Sequence, residues 1–184
     1  MPKNHLTAKQ RRLLQELDEI SSLLKLDYHE IQRYGQLSRT YRLEYAKRHF
    51  VRGEVVLQYT LVDEFVSDIL CGYFFGGKSY IRLWKTKRFR NFNYFIVEKL
   101  SLLEKFAFVR AIQVIPKPIV REIEQLNALR NGIAHAFYPE NLKALKPKWK
   151  GASIFGLDGL RRFVGDMGTL TQFLRSKMSA ANRG

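Results

Sequence analysis

Apolar residues recur at three- and four-residue spacing along most of the chain, with no internal repeat and no strand–helix alternation. Between Thr7 and about Tyr34, Leu13, Leu14, Leu17, Ile20 and Leu24 mark one helical face, and Thr7 with Gln10 resembles a capping box. A charge-rich segment from Leu37 to His49 predicts a second helix. Val51 to Phe75 is apolar on nearly every side, with Asp63, Glu64 and Asp68 embedded, as a central, mostly buried helix would be. Its β-branched content leaves a strand open for Glu54 to Leu61, but the length favours helix. Gly76-Gly77 ends this segment and a basic loop follows. Asn91 to about Ile112 predicts one helix with Ile96, Leu100, Leu103 and Ala107 in register. Pro116 and Pro118 precede the next, which stops before Pro139 and carries Ile119, Ile123, Leu126, Ile133 and Phe137 on one stripe. After a lysine-rich connection, Glu140 to Gly156, Asp158 is expected to cap a last helix with Leu160, Phe163, Val164, Met167 and Leu174 on one side. The expected architecture is an all-α bundle of about five to six helices. It divides into an N-terminal helical extension (1–50), a main helical domain (51–178) and a flexible tail (179–184).

Composition narrows the function. Of 184 residues, 46% are apolar and 13% aromatic, enough for a sizeable core and against disorder. Lys and Arg number 32 against 17 acids, a net charge of +15 that favours a polyanionic partner, with RNA or DNA the leading candidate. The single cysteine, Cys71, excludes an intrachain disulfide and the usual thiolate zinc sites; it lies in an apolar run and reads as a core thiol. His5, His29 and His49 show no metal-ligand spacing, so neither a metal nor another cofactor is expected. No apolar run reaches 18 residues and the N-terminal leucines are interrupted by acids and polar residues. A cytoplasmic protein without a membrane anchor is the expectation.

The most pointed feature is Arg130-Asn131-Gly132-Ile133-Ala134-His135. Arg130 falls inside the apolar stripe of its helix, where a lone guanidinium is costly. It therefore faces a cleft or an interface, or meets a carboxylate such as Asp63, Glu64 or Asp68. Asn127, Asn131 and His135 stack along a polar side, while Ala128, Gly132 and Ala136 form a small-residue ridge. That ridge suits either packing within one protomer or the approach of a second copy. Imidazole moves protons near neutrality and guanidinium grips phosphate oxygens. Together they are the groups that metal-free RNA cleavage needs. On an ideal helix, however, Arg130 and His135 point about 140° apart, so the arginine must reach round or a second chain must contribute.

The segment Leu126–His135 resembles the signature of the HEPN superfamily: Arg, four to six residues, then His, with a polar residue directly after the Arg. Asn131 fills the polar place; Arg42 and His49 repeat the spacing, but Leu43 does not fill it. The resemblance implies an all-α core of four or more helices and homodimers in which the motif lines a cleft between subunits. In many members it also implies metal-independent endoribonuclease activity in toxin–antitoxin, abortive-infection or related defence systems. Carried over, Arg130 and His135 would be catalytic and Asn131 supporting, with Glu64 or Asp68 as the acid from an earlier helix. The implied partners are RNA, a second copy of the chain and a cognate antitoxin protein. Residues 1–50 lie outside the resemblance. A non-catalytic RNA- or protein-binding module is the alternative.

Two further motifs enter. Gly72 to Ser79 satisfies the phosphate-loop pattern G-x4-G-K-[ST], but it follows a helical pattern and holds Tyr73, Phe74 and Phe75, which read as core. A helix end with a glycine cap is the better reading. Lys78, Arg82, Lys85, Lys87, Arg88 and Arg90 occur without an acid among them, interleaved with Tyr80, Trp84 and Phe89. Lys143, Lys146, Lys148 and Lys150 form a second cluster beside Trp149. Cations hold phosphates while aromatic faces stack unpaired bases, so both clusters suit single-stranded RNA.

Overall fold

The computed structural model describes residues 35–76, 80–135 and 147–181, with residues 8 and 33 besides. The helix expected over Thr7 to Tyr34 therefore lies outside the described residues, as do Phe137, Lys143 and Lys146. The chain divides into two compact units, 1–50 and 51–184. The described part of the first is helical, with Tyr41, Tyr45 and His49 in successive ring contact at 6.5 and 4.4 Å.

The described residues are all-α apart from one short hairpin. Helix α1 runs unbroken over Gln36–Phe75, joining two segments that the sequence separates and settling Glu54 to Leu61 as helix. Val51, Val55, Val62, Val66, Ile69 and Leu70 are buried along it, at the spacings of one helical face. Gly76 closes the helix: at φ +67° its N–H reaches the carbonyl of Gly72 (2.9 Å), a left-handed cap that a side chain would strain. Residues 72–75 of the phosphate-loop pattern are thus helical, and Gly77, Lys78 and Ser79 lie outside the described residues. Tyr73 and Phe74, expected in the core, are exposed.

The basic stretch expected as a loop is largely helical. A single turn, α2 (Tyr80–Leu83), precedes α3 (Lys87–Phe95), whose first turn is capped by the Thr86 hydroxyl accepting from the Phe89 N–H at 3.3 Å. A 3-10 turn (Val97–Lys99) follows, then α4 (Leu102–Ile112). The single helix expected from Asn91 to Ile112 is therefore broken. Ser101 and Glu104 form a reciprocal capping box that starts a new helix and resets its phase. Leu102, Lys105, Phe106 and Val109 face inward, whereas Ile96, Leu103 and Ala107 are exposed.

Helix α5 (Lys117–His135) buries Ile123, Leu126 and Ile133 as the periodicity predicts, and Leu129 besides. Part of the lysine-rich connection is an antiparallel hairpin, β1 (Lys148–Trp149) with β2 (Ala152–Ser153), paired Lys148 to Ser153 and Trp149 to Ala152. Lys150 (φ 44°) and Gly151 (φ 85°) turn it, two left-handed residues as a type I′ turn requires. Helix α6 (Leu157–Ala181) starts one residue before Asp158, which sits inside the first turn instead of capping it. Gly156 precedes the helix and accepts from the Leu160 N–H at 3.0 Å. A Cβ on Gly159 would lie 2.6 Å from the Ser153 carbonyl carbon, so only glycine lets hairpin and helix meet.

Phe163, Met167, Leu170 and Leu174 of α6 join α1, α4, α5, Trp149 and Ile154 in the main core, while Val164 is exposed. A smaller cluster of Cys71, Leu83, Phe89 and Val97 holds α2 and α3 at the C-terminal end of α1.

Candidate catalytic cluster and basic face

The helical stripe of α5 brings Arg130 against α1, where the partner is an aromatic ring. The guanidinium lies 5.1 Å from the centroid of Tyr59, a cation–π contact with the ring's negative face. Its Nη1 donates to Asn131 Oδ1 at 3.1 Å. That bond carries the guanidinium round the helix toward the polar side, the direction in which the 140° separation has to be closed. The Tyr59 hydroxyl donates to Asn127 Oδ1 at 3.5 Å, tying α1 to the same polar row. Among the described residues no carboxylate pairs with Arg130, and the rest of its five N–H donors have no protein acceptor.

Of the three acids embedded in α1, Asp63 stands beside this cluster. Its carboxylate bonds the Lys105 ammonium of α4 at 2.7 Å, so this charge is engaged by Lys105 and not by Arg130. Burial pushes the Tyr59 phenol above its usual pKa, and the Asp63 charge adds to this. Arg130 and the Leu102 N–H, at the start of α4, act the other way. The phenol therefore remains a neutral donor near neutrality. Glu64 is exposed a step round the helix, with no bond to Arg130 among the described residues. Asp68 is half-buried nine positions along from Tyr59, about 13 Å by the helix rise.

His135 ends α5 one turn beyond Asn131; its side chain lies outside the described residues. The ridge of Ala128 and Gly132 meets no packing partner among the described residues: Ala128 is exposed and a Cβ on Gly132 would meet nothing of them within 4 Å. Ala136 lies outside the described residues.

The first basic cluster is largely displayed. Arg82, Lys85, Lys87, Arg88 and Arg90 are exposed, and so is Trp84. Arg90 is held to the Trp84 carbonyl at 3.0 Å, and the indole is propped edge-on by Phe89 and Tyr94 at 5.2 and 5.8 Å. Lys78 lies outside the described residues. The second cluster is different. Trp149 is fully buried and its indole N–H donates to Asp166 at 2.6 Å, so it cannot stack on a base. Lys150 bridges Glu122 of α5 (2.7 Å) and Asp166 of α6 (2.9 Å), pinning the hairpin instead of offering a cation. Lys148 is exposed; Lys146 lies outside the described residues.

Sequence reasoning missed Tyr59 and Lys105. The signal available was Tyr59 and Asp63 four apart on one face of an otherwise apolar helix, a polar seam that needs partners from elsewhere. Among the described residues no group of three or more His, Cys, Asp or Glu side chains comes together as a metal site, and no helix is long and apolar enough to cross a membrane. Comparison with known proteins finds no matching family model, no matching curated protein and no matching solved structure.

Proposed function

We propose that this chain is a HEPN-like endoribonuclease of the toxin–antitoxin or phage-defence kind, acting on RNA as a homodimer and without a metal ion. The observation that carries the reading is the state of Arg130. It is a half-buried permanent cation whose neighbours are an aromatic face and an amide, and among the described residues no carboxylate pairs with it. Such a guanidinium is poised for an oxyanion, and a phosphate diester offers one with the matching forked geometry.

In the proposed reaction, the His135 imidazole removes the proton from a ribose 2′-hydroxyl, whose oxygen attacks the adjacent phosphorus. The P–O5′ bond breaks, the 5′-oxygen takes up a proton, and a 2′,3′-cyclic phosphate remains. Arg130 stabilises the charge that builds on the non-bridging oxygens, and Tyr59 and Asn131 hold it in place. The open ridge of Ala128 and Gly132 supports close approach of a second α5, which would bring two polar rows to one cleft. Lys85, Lys87, Arg88 and Arg90 would hold flanking phosphates, and the +15 charge suits an acidic antitoxin as well as RNA.

The test is incubation of purified protein with single-stranded RNA in chelator. Cleavage by the wild type, falling by a factor of about 100 or more in both Arg130→Ala and His135→Ala, is the expected result. Cleavage by both variants at the wild-type rate refutes the assignment. Salt-sensitive binding with no scission by the wild type establishes the non-catalytic module instead.

A further inference from the structure

The basic helix α3 carries a second feature that charge alone does not explain. Between it and the C-terminal end of α1 lies a groove of 390 Å³ lined by Phe74, Phe75, Arg88, Asn91, Phe92, Phe95 and Ile96. Phe95 is 72% exposed and Phe74 50%, an unusual cost for aromatic side chains with a core available nearby. The rings meet at steep angles: Phe74 to Phe92 at 55° and Phe75 to Phe92 at 62°, with centroids 5.3 and 5.2 Å apart. None of these contacts is parallel, so ring faces remain open to a flat guest. At the rim, the Arg88 guanidinium lies 5.7 Å from the Phe75 centroid, and the Asn91 amide can both donate and accept. No acid occurs anywhere from residue 69 to residue 97.

We infer that this groove receives an unpaired nucleobase of single-stranded RNA, stacked on Phe74 or Phe95 and read at its edge by Asn91. Lys87, Arg88 and Arg90 hold the phosphates on either side. The inference rests on the RNA-binding part of the function proposed above and adds a base-recognition subsite that is separate from the Arg130 cluster. Its size fits a small planar ligand, within the roughly 300–1,000 Å³ of such sites. The seven described lining residues fall well short of the roughly 20–30 a side of a stable protein interface. The unbroken positive flank favours a polyanion over an apolar segment. Along α1, Phe74 lies 15 residues from Tyr59, about 22 Å at the helix rise and within about 60° of the same side. At roughly 3.4 Å per stacked nucleotide that separation corresponds to about six or seven nucleotides. The bound base therefore sits about six or seven stacked nucleotides from the bond Arg130 would address.

The test uses the full chain carrying Arg130→Ala, which keeps the RNA intact, and a 12-nucleotide RNA with 2-aminopurine placed in turn at each position. One position is expected to show strong quenching on binding, the signature of a stacked base. Adding Phe95→Ala or Phe74→Ala should abolish that quenching and weaken binding tenfold or more, with the circular dichroism of the protein unchanged. The same variants should bind an RNA that is abasic at that position no worse than the parent does. Several results overturn the inference: quenching at no position, equal loss on the abasic RNA, or unchanged affinity in both variants. Groove variants that weaken only an acidic peptide also overturn it and identify a protein-docking site. Wild-type cleavage that persists unchanged in Phe95→Ala defeats the groove and leaves the nuclease standing. The reverse pattern, groove-dependent binding with no cleavage by the wild type, does the opposite.

Discussion

Asp63→Asn removes the carboxylate 2.7 Å from Lys105, whose side chain is 7% exposed. The ammonium then stays in a site that water scarcely reaches, facing an amide in place of a charge. Breaking a buried pair in this way costs about 3–5 kcal/mol. Asp63 is 28% exposed, so solvent already screens the pair in part and the low end, about 3 kcal/mol, is the expected loss. For a protein of this size that loss lowers the melting temperature by roughly 6–12 °C. Lys105→Met behaves differently. It conserves the side-chain volume and strands a carboxylate that water can still solvate, so the cost should stay near 1 kcal/mol. The double variant removes both charges and should recover most of the stability lost in Asp63→Asn. Urea unfolding followed by circular dichroism, with slopes compared, measures all three. Equal losses in the two single variants, or a loss below about 1 kcal/mol for Asp63→Asn, would show that α1 and α4 are not joined as described.

Gly132→Leu should leave monomer stability unchanged or slightly improved, because a Cβ there meets none of the described residues within 4 Å and leucine is the better helix former. It should abolish dimers in light scattering; dimers of undiminished strength would exclude the small-residue ridge from the interface. Lys150 carries a pKa raised by its hydrogen bond to Glu122 first and to Asp166 next. Its contribution is complete below the unfolded-state lysine pKa near 10.4 and fades as pH rises through the higher folded value. Urea midpoints from pH 8 to 11 should therefore fall less steeply at the alkaline end in Lys150→Met, which starts lower; parallel curves would refute the link.

Helix α5 was legible because nineteen residues keep one apolar phase without a competing signal. The break before α4 was not, although Ser101 and Glu104 carry its signature. Ile96, Leu103 and Ala107 happen to continue the helical spacing across it, and a capping box inside an apolar run is easily read through. Trp149 misled for a related reason. Flanking lysines suggest a surface, yet a two-residue turn with left-handed backbone folds the indole inward, where Asp166 satisfies its N–H. The environment of Arg130 was legible only in part. Its cost on an apolar face announced a partner, but a ring 71 positions away leaves no charge pattern to read. Asp63, the nearby acid, is instead engaged by Lys105, a lysine on the inward face of α4.

The most direct measurement of the proposed chemistry is end-group analysis of an RNA cut in chelator, alongside the same RNA carrying one 2′-deoxyribose at the mapped scissile nucleotide. Attack by the neighbouring hydroxyl predicts fragments ending in 2′,3′-cyclic phosphate and 5′-hydroxyl, with scission at the deoxy position lost and scission elsewhere retained. Cleavage through the deoxy position, or fragments ending in 3′-hydroxyl and 5′-phosphate, would contradict it.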